Sequence, residues 1–284
     1  MMLRIAIQKS GRLFAESMQL LADCGITVKN GTNQLKSLAE NFPLEVYFLR
    51  DDDIPQYVED GVANIGIVGQ NVLEEKNKSV TVVTELGFGK CRLSIAVPKA
   101  EDYAGPAFLD GKKIATSYPG ITSNFLQKER INAEIHEISG SVELAPGIGL
   151  AEAICDLVSS GSTLLMNGLR EVQTIMQSQA VLIRSEHLYP DQETLLRKLL
   201  FRIEAVRKAK KNKYILLNAP NDSLQKIFDL LPGIKSPTVM PLANEGWSSV
   251  HSVLHEDEYW EKIEALRDAG AQGILVIPID NMII

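Results

Sequence analysis

From the N-terminus to Lys211, short apolar runs alternate with stretches of helical periodicity, and this alternation narrows the fold more than any other feature of the 284-residue chain. Residues 3–7, 45–49, 65–68, 93–97, 113–116 and 181–183 read as strands. Residues 14–24 (stopped by Gly25), 54–60 (stopped by Gly61), 123–130, 150–158 and 192–211 read as helices. Strands separated by helices need crossover connections, so the expectation is an α/β architecture with largely parallel sheets. Such folds bind ligands at the carboxyl ends of their strands. A strand begins after Gly87-Phe-Gly-Lys-Cys-Arg92, and the chain returns to another at Ala180. That pattern suits two lobes joined by crossing segments with a cleft between them.

Beyond the basic run 207–213 the pattern changes. Residues 214–217 read as a strand, 222–231 as a helix with Asn221 as N-cap, 238–242 and 248–254 as strands, 257–269 as a helix ended by Gly270, and 274–279 as a strand. The order β-α-β-β-α-β is that of a ferredoxin-like domain.

The stretch from Glu143 to Leu164 carries the most chemistry. Residues 159–163 hold Ser159, Ser160, Ser162 and Thr163 around Gly161, close to Asp156. A glycine lets backbone approach an oxyanion, and successive amides and hydroxyls then cradle a phosphate. An acid beside such a cradle suits the hydroxyls of a ribose. An ordinary loop and a solvated acid would have the same local composition. Two more junctions pair turns with charge. Lys9-Ser10-Gly11-Arg12 opens the first helix, where free amides favour an anion, although Ser10 could equally cap the turn. Arg50-Asp51-Asp52-Asp53 stands at the next strand end, with Asp53 a candidate cap and Asp52 a candidate Mg²⁺ ligand. Gly66-Ile-Val-Gly-Gln-Asn71 fits a strand-to-helix turn or tight helix packing equally well. Gly87 to Arg92 fits a hinge or a nucleotide-pocket lining.

Composition excludes several classes. A net charge of −7 argues against a nucleic-acid binder, and no run approaches the ~20 apolar residues of a membrane span. The N-terminus lacks a secretory pattern, so a cytoplasmic protein is expected. The three cysteines, Cys24, Cys91 and Cys155, lie apart in apolar segments and read as reduced core thiols. Four histidines form no ligand pattern; His251 and His255 fall in a strand.

The run of Glu143, Gly149, Ala151, Ile154, Asp156, Leu157, Ser160, Gly161, Thr163 and Leu164 resembles, without a gap, the signature of the ATP phosphoribosyltransferases of histidine biosynthesis. The KSGRL segment at Lys9, SPTVMPLA at Ser236 and the C-terminal GILVIPIDNMI extend the resemblance over the whole chain. It implies a bilobal, periplasmic-binding-protein-like catalytic part, with lobe I at 1–92 and 180–211 and lobe II at 93–179. A ferredoxin-like regulatory domain at 212–284 would follow. The implied reaction joins N1 of ATP to C1 of phosphoribosyl pyrophosphate with release of pyrophosphate and inversion, assisted by Mg²⁺.

Asp156, Arg12 and Lys9 are the implied catalytic residues. Ser159, Ser160, Gly161, Ser162 and Thr163 would hold the 5-phosphate, Glu143 the ribose surroundings, and Arg50 phosphate or adenine. The C-terminal module marks the long form of the family, which works without a partner resembling histidyl-tRNA synthetase and is inhibited by histidine. Asn218, Thr238 and Gly273 are the implied histidine contacts, although Asn218 offers no charge to an imidazole. Feedback over a distance needs two quaternary states, so a homo-oligomer, dimer to hexamer, is expected. Two rivals remain at this stage. One is a bilobal solute sensor with an amino-acid-binding tail. The other is a phosphoribosyltransferase of the salvage class, whose paired acids follow a strand, whereas Asp156 here is read as following a helix.

Overall fold

The computed structural model describes residues 2–29 and 34–284. The chain divides into two compact units, Met1–Leu195 and Leu196–Ile284.

The first unit contains two sheets. One is built from β1 (Leu3–Gln8), β2 (Lys36–Leu38), β3 (Leu44–Leu49), β4 (Ile65–Gly69) and β5 (Thr81–Glu85), interleaved with α1 (Arg12–Asp23), α2 (Ile54–Glu59) and α3 (Gln70–Lys76). The chain then crosses to a second sheet made from β6 (Cys91–Pro98), β7 (Lys113–Thr116), β8 (Glu134–Glu137), β9 (Ala153–Val158) and β10 (Leu169–Ser178), with α4 (Pro119–Glu129) and α5 (Ser162–Met166). It returns to the first sheet as β11 (Ala180–Arg184) and enters α6 (Pro190–Lys210). The first sheet has the order β2-β3-β1-β4-β11-β5, the second β10-β6-β9-β7-β8. β1 lies parallel to β3 and β4, and β7 parallel to β8 and β9. β11 is antiparallel to both its neighbours, as is β6.

Burial on both faces explains the composition of the central strands. Leu3, Ile5, Ala6 and Ile7 of β1 are all buried, as are Ile65, Gly66, Ile67 and Val68 of β4. Gly66 makes room for α2: a Cβ there would stand 2.7 Å from Ile54 Cγ2. The turn glycine pair therefore divides its labour, Gly66 for helix packing and Gly69 for the side chain of Asn71.

The helix expected at 150–158 is a strand, β9. Ile154 and Val158 pack into one core with Ala96, Ala115 and Leu164, whereas Cys155 packs into the other with Leu93, Ile95 and Ile114. A strand buried on both faces shows no polar alternation, and its apolar residues then mimic a helical i, i+3, i+4 face. Asp156 accordingly lies within a strand, so the preceding helix no longer separates it from the salvage class, although the single acid still does.

Two expected caps are also corrected. Asp51–Asp53 and Asn221–Ser223 form 3₁₀ turns, and neither Asp53 nor Asn221 caps the following helix through its side chain. Asn221 Oδ1 instead accepts from Ser248 Oγ at 2.8 Å.

The second unit begins within α6, upstream of the basic run, and Leu199, Ile203, Val206 and Ala209 of that helix are buried. It continues as β12 (Asn212–Pro220), α7 (Leu224–Leu230), β13 (Thr238–Pro241), β14 (Trp247–His255), α8 (Tyr259–Asp268) and β15 (Gln272–Pro278). The sheet order β13-β14-β12-β15, antiparallel throughout, is ferredoxin-like. Ile215, Leu217, Ala219, Val250 and Leu254 line the face that packs with Ile227 and Leu266 of the helices. Among the described residues, no helix is long and apolar enough to cross a membrane.

Candidate active site

The carboxyl end of β9 sets the chemistry. Alternation along the strand sends Cys155 and Leu157 to one core and turns Asp156 to the other face, opposite Ser94 of β6. Asp156 Oδ1 accepts from the amide of Leu157 at 2.8 Å. Burial, and secondarily the nearby negative charge of Glu143, pushes its carboxyl above the ordinary range. Glu143 stands on the Val142–Leu144 3₁₀ turn, whose Val142 is buried in the same core as Ile154.

After β9 the backbone turns through Gly161 at φ +79°, a left-handed conformation that disfavours any side chain, and enters α5. Ser160 Oγ and Ser162 Oγ lie 2.9 Å apart, and Ser159, Ser160, Ser162 and Thr163 are all exposed. Glu143, Asp156, Ser159, Ser160, Gly161 and Thr163 line one cavity of ≈ 190 Å³. A larger cavity of ≈ 560 Å³ shares Ser159 with it and is lined from both sheets by Gln70, Glu85, Lys90, Cys91, Arg92 and residues 177–179. The crossover segment ending in Lys90, Cys91 and Arg92 is therefore a pocket lining. Its Gly89, at φ +62°, passes close to Leu13 and the backbone of Ala180.

The cations come from the first sheet. β1 and β3 are parallel neighbours with Gln8 opposite Leu49, so Lys9 and Arg50 emerge side by side at their carboxyl ends. The amide of Lys9 donates to Leu49 O at 2.8 Å. Gly11, at φ +88°, starts α1 in place of a Ser10 cap, and Arg12 Nη1 then donates to Ser159 Oγ at 3.3 Å across the cleft. Arg12 is thus joined to the hydroxyl loop, whereas the side chains of Lys9 and Arg50 have no hydrogen-bond or ion-pair partner among the described residues.

Pairings that the sequence does not show complete the site. Arg92 of β6 donates Nη1 to the carbonyl of Ser159 at 3.1 Å and pairs in bidentate fashion with Glu171 of β10. Asn71 of α3 donates to Tyr118 Oη at 3.0 Å and accepts from Ser178 Oγ at 2.8 Å. Glu75, also of α3, receives the amides of Gly120 and Ile121 at 2.8 and 2.9 Å, so a carboxylate from the first sheet caps α4 of the second. Such pairs leave no sequence signal, because the partners lie 45 to 107 residues apart.

Cys24 and Cys155 are core thiols as expected, but Cys91 is only half-buried and lines the larger cavity, where partial burial raises its thiol above the ordinary range. Among the described residues no group of three or more His, Cys, Asp or Glu is arranged to hold a metal. Asp52 pairs with Lys76 at 3.7 Å.

In the second unit, Gly273 occupies the irregularity where β15 loses register with β12, at φ +57°. A Cβ on it would lie 3.5 Å from Asn218 Nδ2. Asn218 and Gly273 are neighbours; Thr238 lies apart from them on edge strand β13, opposite His251. His251 is held by Tyr214 Oη at 2.6 Å and Ser249 Oγ at 3.1 Å.

A family model described as ATP phosphoribosyltransferase matches residues 50–205, more than half of the chain. The chain belongs to the ATP phosphoribosyltransferase family. A second model, described as the HisG C-terminal domain, matches residues 209–281. An ATP phosphoribosyltransferase from Cytophaga hutchinsonii is 58% identical over 281 residues, which cover 99% of this chain and 98% of that one. Membership makes the chain an enzyme, a pentosyltransferase of histidine biosynthesis that binds ATP.

Among solved structures, an ATP phosphoribosyltransferase (HisG:HisZ) complex from Thermotoga maritima matches with a TM-score of 0.61 at 29% identity, covering 72% of this chain and 99% of that one. A histidine kinase sensor domain with similarity to periplasmic binding proteins matches at TM-score 0.50 and 12% identity, covering 73% of this chain and 90% of that one. That second likeness shows the bilobal fold alone.

Proposed function

We propose that this ATP phosphoribosyltransferase transfers the phosphoribosyl group of phosphoribosyl pyrophosphate to N1 of ATP, releasing pyrophosphate, as the first step of histidine biosynthesis. The observation that carries the reading is the convergence at Ser159. On one side two carboxylates face a hydroxyl-rich glycine turn in a single cavity, and on the other Arg12 reaches the same turn from the opposite sheet. Residues 1–92 with 180–211, and 93–179, act as the two catalytic lobes.

The chemistry follows from charge. Departure of pyrophosphate leaves positive charge on the ribose ring and builds negative charge on the leaving group. Asp156 and Glu143 accept from ribose hydroxyls and stabilise the ring. Residues 159–163 hold the 5-phosphate. Lys9, Arg12 and Arg50, at the strand ends of the first lobe, meet pyrophosphate and ATP phosphates. Holding the two substrates in line is the main requirement.

Glu143 and Asp156, two carboxylates in one cavity, suit Mg²⁺ with the remaining ligands drawn from substrate oxygens. When bound, Mg²⁺ supplies positive charge to the pyrophosphate.

The C-terminal unit, residues 212–284, is read as a histidine sensor, with Asn218 and Gly273 as adjoining contacts and Thr238 contributing from the edge strand. The Thermotoga maritima chain is covered almost whole by 72% of this one, which fits a relative without this module. We assign this chain to the form that needs no such partner. The outer face of the C-terminal sheet exposes Met240, Leu275 and Ile277, which favours a homo-oligomer, dimer to hexamer. With ATP and phosphoribosyl pyrophosphate as substrates, the enzyme is assigned to the cytoplasm.

The substrate site is tested by Gly161→Val. A branched residue at φ +79° cannot keep the turn, so binding of phosphoribosyl pyrophosphate, measured by calorimetry, should fall at least about a hundredfold with the circular dichroism spectrum unchanged. Unchanged binding refutes the placement.

A further inference from the structure

The Arg92–Glu171 pair has the look of an ordinary cross-strand ion pair, but its neighbours point to a task. Arg92 gives Nε and Nη2 to the Glu171 carboxylate, and this leaves Nη1 aimed at the carbonyl of Ser159, 3.1 Å away. Glu171 Oε1 also accepts from the buried hydroxyl of Ser94 at 2.8 Å and from Thr174 Oγ1 at 3.4 Å. A carboxylate with that many donors holds its own position and thereby fixes the guanidinium it carries.

The strand is shaped to allow this. β10 shifts register against β6 between Glu171 and Gln173 and again between Thr174 and Met176. Each shift reverses which side chains face up, so Glu171, Thr174 and Gln177 come to one face opposite Ala96, Ser94 and Arg92. An unbroken strand would put Glu171 and Thr174 on opposite faces. On the other side of β6, Ser94 is opposite Asp156. A polar row therefore crosses three strands on this face of the sheet and ends at the cavity that Asp156 lines. Irregularities of this kind re-aim side chains next to active sites.

We propose that Glu171 is a positioning residue for phosphoribosyl pyrophosphate: acting through Arg92, it holds the Ser159 carbonyl and so presents the turn at 159–161 in its phosphate-receiving shape. This rests on reading that turn as the 5-phosphate site. Both side chains are partly solvated, at 31% and 24% exposure, so as a plain ion pair they would add little to stability. Their contribution is to the geometry of the turn, and it applies equally to bound substrate and transition state.

The test uses the full-length enzyme with Glu171→Gln, Arg92→Lys and the double variant. In each the KM for phosphoribosyl pyrophosphate should rise about tenfold, with kcat and the KM for ATP changed less than about twofold. The melting temperature should stay close to that of the parent. The double variant should be no worse than either single one, because both break the same link.

Direct titration with phosphoribosyl pyrophosphate should give the same ratio, with Gly161→Val measured alongside. If Gly161→Val loses binding while Glu171→Gln and Arg92→Lys keep it, the positioning role is wrong and the turn assignment stands. If Gly161→Val also keeps binding, the turn assignment itself fails. Loss of affinity for both substrates together with a lowered melting temperature would make the pair structural and overturn the proposal.

Discussion

At the residue scale, Asp156 shows how a site can hold a cost that the fold carries for function. Burial first, and Glu143 second, raise its carboxyl above the ordinary range, so the folded state binds that proton more tightly than the unfolded chain does. Its contribution to stability is then fully present at low pH and is lost as pH rises from the ordinary carboxylate range through the raised value. Asp156→Asn should raise the melting temperature at neutral pH, with the gain shrinking as the pH is lowered, while kcat falls about a hundredfold or more. Glu143→Gln removes the second cause, so the acid limb of kcat/KM should move to lower pH; a limb that stays or moves up would separate the two carboxylates. The chemistry of this pair was legible in the sequence, because acids, hydroxyls and a glycine within one run need no long-range information. Lys9, Arg12 and Arg50 were legible as cations at strand ends. Arg92 was legible only as a cation of the Gly87 to Arg92 segment, and its pairing with Glu171 was not, because only strand pairing across 79 residues brings the two together.

At the element scale, legibility followed burial pattern. β1, β3, β4 and β11 announced themselves as apolar runs between turns. β9 did not, since a strand covered on both faces offers no alternation and its i, i+3, i+4 spacing imitates a helix. β10 escaped notice because its two register shifts break the period of two that marks a strand. Between elements, α4 starts at Pro119 without a cap of its own and is closed by Glu75 from α3. Glu75→Ala should cost about 1 kcal/mol, the usual loss of a helix cap, and lower the melting temperature by about 2–4 °C. Gly120→Ala should act in the same direction, because a Cβ there would meet the Glu75 carboxylate at 3.1 Å, and combining it with Glu75→Ala should recover part of the loss. Additive losses would mean that the contact between the two lobes does not depend on this cap.

At the scale of the whole molecule, two sheets with one excursion between them, followed by an antiparallel four-stranded module, hold all the named strands of the described chain. The α/β class and the β-α-β-β-α-β tail were both readable, since alternation and element order survive errors at single elements. The apolar outer face of the tail sheet was not, because Leu275, Ile277 and Met240 belong to strands whose exposed side only the packing of α7 and α8 defines. On the proposed reading of the tail as a histidine sensor within a homo-oligomer, Leu275→Asp should lower the sedimentation coefficient and weaken histidine inhibition together; loss of inhibition in an unchanged oligomer would uncouple the proposed sensor from assembly.

The central claim is that the cavity at Asp156 and Gly161 transfers phosphoribosyl to ATP. Mixing the full-length protein with ATP, phosphoribosyl pyrophosphate and Mg²⁺, with pyrophosphatase present, tests it most directly by the rise in product absorbance. Steady turnover that needs all three and is abolished in Gly161→Val is the expected result. No product from the folded protein, or turnover that survives Gly161→Val at the parent rate, would contradict it.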